Sequence, residues 1–127
     1  MSEQIAKFRF LNYQIHESSI RISDAESVGK DLQIDIKKSN KEEEKENIYN
    51  LFFEITINDK LGSLNIFLNI EGKFEFNKDL TDSEKDSFFN INAPAILFPY
   101  VRAYISTLTS LSGINPIILP TINLSNR

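Results

Sequence analysis

The side chains of this 127-residue chain that could do acid–base or metal chemistry are one histidine and 18 carboxylates. There is no cysteine, which excludes disulfides and thiolate metal sites. His16 has no second histidine to work with, and the four scattered glycines form no phosphate-binding loop. The carboxylates fall on polar strand faces, in loops or at helix starts, where solvation accounts for them. These residues predict a protein that is not an enzyme and uses no cofactor or metal.

Charge and hydropathy patterning narrow the classes of partner. The formal net charge is −4, and lysine and arginine are dispersed among acids, so a nucleic-acid surface has no electrostatic basis. No apolar run approaches the roughly 20 residues that span a bilayer. The polar start of the chain predicts no signal peptide. We expect one cytoplasmic domain, residues 1–127, with no nucleic-acid partner and no membrane insertion.

The elements that position the side chains begin with four predicted strands, in which apolar and polar residues alternate. They cover residues 5–24, 31–38, 48–59 and 63–77. In the first, Ala6, Phe8 and Phe10 share one parity, whereas Leu11 and Tyr13 share the other. This change of phase predicts a bulge near Phe10 and Leu11. Short connections without helical crossovers favour antiparallel pairing, with one apolar face that needs a cover.

Two features interrupt the strand pattern. Residues 39–47 are almost all polar or charged, and we expect a solvated hairpin loop there. Its mixed charge argues against a specific interaction site. Gly72 predicts a bend in the last strand, after which Phe74 and Phe76 continue the apolar row.

Two helices are expected to cover the sheet. Thr81 and Glu84 have the spacing of a capping box, which predicts a short helix to about Asn90. Residues 92–94 then break it, and a longer helix follows, with Pro99 in its first turn or at a kink. The apolar residues of that helix recur at offsets of three and four and lie on more than one side. They are Leu97, Tyr100, Val101, Tyr104, Ile105, Leu108 and Leu111.

The predicted fold class is therefore α+β, a four-stranded antiparallel sheet covered on one face by a short and a long helix. Gly113 ends the long helix. Residues 114–127 are apolar, and Pro116 and Pro120 prevent a helix, so this segment should be extended and pack on another surface. Ten Phe and four Tyr indicate either an aromatic-rich core or a surface that meets a partner. The wide apolar face of the long helix favours an oligomer.

Part of the sequence resembles a known family. Residues 92–102, Asn-Ala-Pro-Ala-Ile-Leu-Phe-Pro-Tyr-Val-Arg, are similar to the SecB family's pattern at its long helix, P-x-I-L-F-P-Y-x-R. Residues 116–123 resemble the apolar, Pro-containing segment that follows that helix in the family, and residues 72–76 resemble the end of its fourth strand. The two motifs recur in the family's order and spacing over the last third of the chain.

The resemblance implies an ATP-independent chaperone that holds unfolded polypeptides in apolar grooves and assembles as a homotetramer, a dimer of dimers. Unfolded preproteins destined for export are the clients it implies. The candidates for lining the groove, each of which could instead simply close the monomer core, are Phe74, Phe76, Phe88, Phe89, Ile91, Pro116, Ile117 and Leu119. Those expected at the oligomer interface are Tyr100, Tyr104, Ile105 and Leu108.

Two alternatives to an export function stay open. Relatives of SecB serve as dedicated chaperones of toxin–antitoxin modules, where they protect an antitoxin, and the fold could also serve as an oligomeric scaffold or ligand-binding domain. Export members carry a further helix and an acidic tail that engages the SecA motor, whereas this sequence ends at Arg127, which puts SecA binding in doubt. Asp35, Glu54 and Glu71 on the exposed sheet face are the remaining candidates for a motor contact.

Overall fold

The computed structural model describes residues 7–121. Ala6 of the predicted first strand, and Ile122 and Asn123 of the family-like segment, lie outside the described residues. The α+β class is confirmed: four antiparallel strands form one sheet, with helices on one face. The strands are β1 (Phe8–Ile22), β2 (Leu32–Glu43), β3 (Ile48–Asp59) and β4 (Leu64–Phe76), and the helices are α1 (Asp82–Ser87) and α2 (Ala93–Leu111).

The order of the strands across the sheet is β1-β4-β3-β2, so consecutive strands β1 and β2 lie at opposite edges. The connection between them passes the turn that joins β3 to β4. The backbone N–H of Ser23 donates to the carbonyl oxygen of Ser63 at 3.0 Å. The N–H of Gly29 donates to Oδ2 of Asp59, also at 3.0 Å. These bonds hold the β1–β2 connection against the end of the sheet.

Strand β1 contains two irregularities in its pairing with β4. One lies between Phe10 and Asn12, which confirms the predicted bulge. The other lies between Ile15 and Glu17, where His16 is the extra residue. Because the first bulge reverses the parity, Tyr13 pairs opposite Gly72 and lies on the helix side of the sheet, where it stays partly exposed.

Strand β2 is longer than the sequence pattern predicted. It pairs with β3 as far as Glu43, and a 3₁₀ turn follows at Glu44–Glu46, so the loop expected over 39–47 is wrong in its first half. Here β2 is an edge strand whose polar side chains remain near water, so pairing needs no apolar alternation. Asn50 on β3 also ties this end down, because its Nδ2 donates to Oε2 of Glu43 at 2.8 Å.

Gly72 produces no bend. Strand β4 pairs regularly with β3 through it, and the residue is buried beneath α2. A Cβ at this position would lie 3.0 Å from both δ-carbons of Leu97. Glycine here therefore permits the close approach of helix and sheet, which is the second common reason for glycine within a strand.

The capping box at the start of α1 is confirmed. Oγ1 of Thr81 accepts from the N–H of Glu84, and Oε1 of Glu84 accepts from the N–H of Thr81, both at 3.1 Å. The break predicted at 92–94 is wrong, because α1 continues through a π-helical segment, Phe88–Asn92, directly into α2. Pro94 lies at the start of α2, directly after the π-helical segment.

Helix α2 packs its buried face on the inner side of the sheet. Pro99 lies inside α2 and not in its first turn. The helix ends at a Schellman motif, in which Gly113 has a φ of 91°. The N–H of Gly113 donates to the oxygen of Ser110, and that of Ile114 to the oxygen of Thr109, both at 3.3 Å. The core residues of α2 are Ala93, Pro94, Leu97, Phe98, Val101, Ile105 and Thr109.

Candidate functional site

A groove of about 540 Å³ opens between the β1–β2 connection and the segment that follows α2. Residues 25–30 with Leu32 form one wall, and residues 113–118 form the other. The side chains of Val28, Leu32 and Ile114 within it pack against the hydrophobic core. The groove thus offers apolar surface between two irregular backbone segments.

The first wall is shaped by Asp24 at the start of the 3₁₀ turn Ala25–Ser27. Its carboxylate accepts from the hydroxyl of Ser27 at 2.6 Å and from the N–H of Glu26 at 3.1 Å. The Ser27 hydroxyl and then the Glu26 amide hold the pKa of Asp24 below its ordinary value. Asp24 therefore stays ionised and fixes the conformation of the loop.

Asp59 anchors the same wall from the opposite edge of the turn. Its carboxylate accepts from the N–H of Gly29 at 3.0 Å and from the N–H of Leu64 at 3.1 Å. Burial raises its pKa, but the backbone N–H groups of Gly29, Leu64 and Ser63 together outweigh burial and lower it. An ionised Asp59 thus joins the β1–β2 connection to the β3–β4 turn.

The second wall is an extended segment held along α2. The N–H of Ile117 donates to Oγ1 of Thr109 at 2.9 Å, and Nε of Arg102 donates to the oxygen of Leu119 at 3.0 Å. Ile117 and Leu119 are buried, whereas Ile118 between them is 74 % exposed. The alternation fixes two side chains in the core and presents the third to the groove.

The residues predicted to line the groove do not all lie together in the structure. Pro116 and Ile117 line the groove. Leu119 is fully buried behind it, and Ile91, on the π-helical segment, is 56 % exposed and does not line it. The four phenylalanines of the prediction lie elsewhere, at the end of β4 and in the π-helical segment that follows α1. In this conformation of the single chain they present little or no surface to the groove, because Phe74, Phe76 and Phe89 are buried and Phe88 is half-buried.

These phenylalanines belong to an aromatic cluster that also includes side chains from β1 and β3. The rings of Tyr49 and Phe89 are stacked, with centroids 3.9 Å apart and planes 7° apart. Phe88 stacks on Phe8 at 5.1 Å. The aromatic cluster consists of Phe8, Tyr49, Phe74, Phe76, Phe88 and Phe89.

The residues predicted at an oligomer interface also differ in exposure. Ile105 is fully buried in the single chain and therefore offers no surface to a second copy. Tyr104 is half-buried and its hydroxyl donates to Oγ of Ser18 at 2.7 Å, and Leu108 is half-buried. Tyr100 is 39 % exposed, and its ring contacts that of Tyr13 in a tilted arrangement, with centroids 4.6 Å and planes 33° apart.

An exposed apolar patch surrounds Tyr100. It includes Tyr13, which sequence reasoning missed and which is 43 % exposed; Leu11, two residues earlier on the same strand, is 37 % exposed. They lie at and just after the first bulge of edge strand β1. The phase change in the sequence was a signal that could have placed Tyr13 on the helix side.

Other kinds of site find little support in the part of the chain that the structure describes. Over residues 7–121, no group of three or more His, Asp or Glu side chains could hold a metal ion. The single histidine, His16, contacts Glu71 on the outer face of the sheet, with Nε2 and Oε1 2.7 Å apart. None of the described helices has the length and apolar character to cross a membrane.

The architecture is similar to that of solved structures. The SecB-like chaperone Rv1957 of Mycobacterium tuberculosis, in complex with a ChAD peptide from the Rv1956 HigA1 antitoxin, superposes with a TM-score of 0.76. The match covers 91% of each chain at 12% sequence identity. A protein of unknown function from Streptococcus agalactiae matches with a TM-score of 0.53, over 90% of this chain and 97% of that one, again at 12% identity.

Sequence comparisons give one curated relative and one family. The uncharacterized protein MJ0357 of Methanocaldococcus jannaschii is 47% identical over 62 residues, a stretch that covers 47% of this chain and 39% of the relative. This chain thus spans well under half the length of that relative. The model of the family described as preprotein translocase subunit SecB matches residues 6–126. Because that match extends over nearly the whole sequence, the chain belongs to the SecB family.

Proposed function

We propose that this protein is an ATP-independent chaperone that binds unfolded polypeptides and keeps them from aggregating. The observation that carries the proposal is the 540 Å³ groove, which joins apolar side chains to two irregular backbone walls. An unfolded client exposes apolar side chains and unpaired peptide groups together. A groove of this chemistry binds both without requiring a defined sequence.

The direct test is suppression of aggregation without nucleotide. A chemically unfolded model protein is diluted into buffer with and without the purified chain, and light scattering is followed. We expect near-stoichiometric amounts to suppress scattering. No effect on several unrelated clients would contradict general holdase activity.

A matched pair of variants connects that activity to the groove. Ile118→Asp places a charge at a groove position that is 74 % exposed, so the fold does not depend on it. Leu61→Asp makes the same change at a position that is 72 % exposed and outside the groove lining. We expect the first to lose suppression and the second to retain it.

Export is the client pathway we propose first, with unfolded preproteins bound in the cytoplasm before translocation. The name of the matching family supports it. The alternative is a dedicated chaperone of an antitoxin, which is favoured by the antitoxin peptide bound to the M. tuberculosis structure of the same fold. Adjacent toxin and antitoxin genes, and protection of that antitoxin but not of unrelated preproteins, would decide for the alternative. A scaffold without client binding would fail both assays.

A homotetramer and a SecA contact complete the proposed export function. The patch of Tyr13 and Tyr100 supports self-association, because it exposes apolar rings on edge strand β1 and on α2. For SecA, the candidate contacts are the acids of the outer sheet face. Glu71 lies against His16, and Glu54 pairs opposite Lys37, whose charge partly balances that of Glu54. Reversing the charge of Asp35 and Glu54 together should abolish any SecA binding measured by calorimetry.

A further inference from the structure

The aromatic cluster is covered by a helix that contributes little to the core. No residue of α1 is buried. Outside its capping box, α1 is held to the sheet side by two ion pairs, Lys7 Nζ to Glu84 Oε2 at 2.6 Å and Lys85 Nζ to Glu42 Oε2 at 3.1 Å. The Glu84 and Lys85 side chains keep about a third of their surface in water, 29% and 30%. Pairs of this exposure contribute little to stability, so α1 is weakly fastened.

The junction between α1 and α2 has the geometry of a hinge. The π-helical segment Phe88–Asn92 separates them, and the N–H of Ala93 donates to the oxygen of Phe88, five residues earlier. A π turn within an α-helix is rare and is frequently found at functional sites. On its far side Ala93 is buried, so α2 is fixed while α1 is not.

The aromatic cluster can already be reached from one side. A crevice of about 310 Å³ runs between α1 and the end of β2. Tyr49 and Phe89 line it, together with polar side chains. Lys85, which also lines it, places Nζ 5.2 Å from the centre of the Phe76 ring. Displacing Lys85 would thus expose a face of the Phe76 ring, in addition to Tyr49 and Phe89.

We propose that α1 is a lid over a binding site for aromatic side chains of an unfolded client. When α1 turns about the π-helical segment, Phe88 leaves the face of Phe8, and the client ring stacks there in its place, beside Phe89. This inference rests on the proposed function and names the side-chain class that the second site selects. Because the client ring replaces Phe88, the aromatic cluster can bind a client although it is buried in the free protein.

The test fixes α1 in its closed position. Glu42→Cys and Lys85→Cys supply the only two thiols, because the chain has no cysteine, and a reversible bis-methanethiosulfonate reagent joins them. The probe is an unstructured peptide with a single Trp, whose emission reports only the peptide because the chain has no Trp. We expect crosslinking to weaken binding about tenfold or more, the worth of one buried aromatic anchor. Reductant should restore it.

The control crosslinks Arg9→Cys to Glu75→Cys, a directly opposed pair on the outer face at the same end of the sheet. It should leave peptide binding unchanged. In addition, Phe88→Ala should strengthen binding of the aromatic peptide, because it vacates the face of Phe8. Equal binding with α1 free and crosslinked, or no gain from Phe88→Ala, would overturn the lid while leaving holdase activity intact. If the unmodified chain binds no peptide and suppresses no aggregation, the proposed function fails and the lid with it.

Discussion

A methyl group on Gly72 would lie 3.0 Å from both δ-carbons of Leu97, so the spacing between α2 and the sheet is set by the absence of a side chain. Leu97 is fully buried and has little room to move. We expect Gly72→Val to lower the free energy of unfolding by about 1–3 kcal/mol through overpacking. Chemical denaturation measures it. In a Leu97→Ala background the same substitution should cost less or stabilise, and an additive double-mutant cycle would contradict this relationship.

Thr109 joins α2 to the second wall of the groove. Its hydroxyl donates to the oxygen of Ile105 at 2.8 Å and accepts from the N–H of Ile117 at 2.9 Å. Thr109→Val leaves that buried N–H without an acceptor and should lower the free energy of unfolding by about 1–3 kcal/mol. Hydrogen exchange at Ile117 should also accelerate. Thr107→Val, at an exposed position of the same helix, is the control and should change neither measurement.

Asp59 should make stability depend on acid pH. Its pKa in the fold lies below the ordinary value of 3.8, so its contribution is complete above that value and is lost as the pH falls through the lowered pKa. Asp59→Asn should flatten the dependence of the unfolding free energy on pH in this acid range. It should also loosen the loop at Gly29, which hydrogen exchange detects. A variant with an unchanged acid limb would show that Asp59 is not responsible.

Tyr49 should make the stability of the fold depend on alkaline pH. Burial and then the charge of Glu42 raise its pKa to about 12 from an ordinary 10.0. Its contribution to stability is therefore complete below pH 10.0 and is lost as the pH rises towards about 12. Ultraviolet titration should show a late tyrosinate signal that Tyr49→Phe lacks. Glu42→Gln should move that signal to lower pH.

The Tyr13–Tyr100 patch should control self-association. A charge at either ring, as in Tyr13→Asp or Tyr100→Asp, would have to be desolvated in an apolar interface. We expect each to shift the mass from light scattering towards smaller species. Leu111→Asp changes a position on α2 that is 83 % exposed and outside the patch, and should keep the parent mass. Unchanged mass in both tyrosine variants would remove the patch as an interface.

Features encoded by neighbouring residues could be predicted from the sequence. The capping box of Thr81 and Glu84 needs only four residues, and the first bulge follows from a local change of parity. The length of β2 could not be predicted, because pairing with β3 overrides a charged sequence at an edge. Nor could the π-helical segment, since residues 92–94 resemble a helix break in sequence, whereas in the fold the helix runs through them.

The candidate groove was predicted only in its second wall. Pro116 and Ile117, which the family resemblance assigns to a client-binding groove, line the wall formed by residues 113–118, and their contact with a client stays a prediction. The first wall, with Val28 and Leu32, was missed because it meets residues 113–118 only through the strand order, which no local pattern reveals. The phenylalanines were placed in the groove on their apolar character. That character does not distinguish a surface from a buried aromatic cluster.

The strand order has a consequence for folding during synthesis on the ribosome. Strand β1 is made first, yet it pairs only with β4, the last strand of the sheet, and Arg9 meets Glu75 across 66 residues of chain. Until β4 emerges, β1 carries its apolar residues with no strand to join, while β2 and β3 can close as a hairpin. The slow step of folding should therefore be the docking of β1, because the long loop must close before its contacts form. A protein proposed to bind unfolded polypeptides thus itself exposes apolar residues until its synthesis is complete.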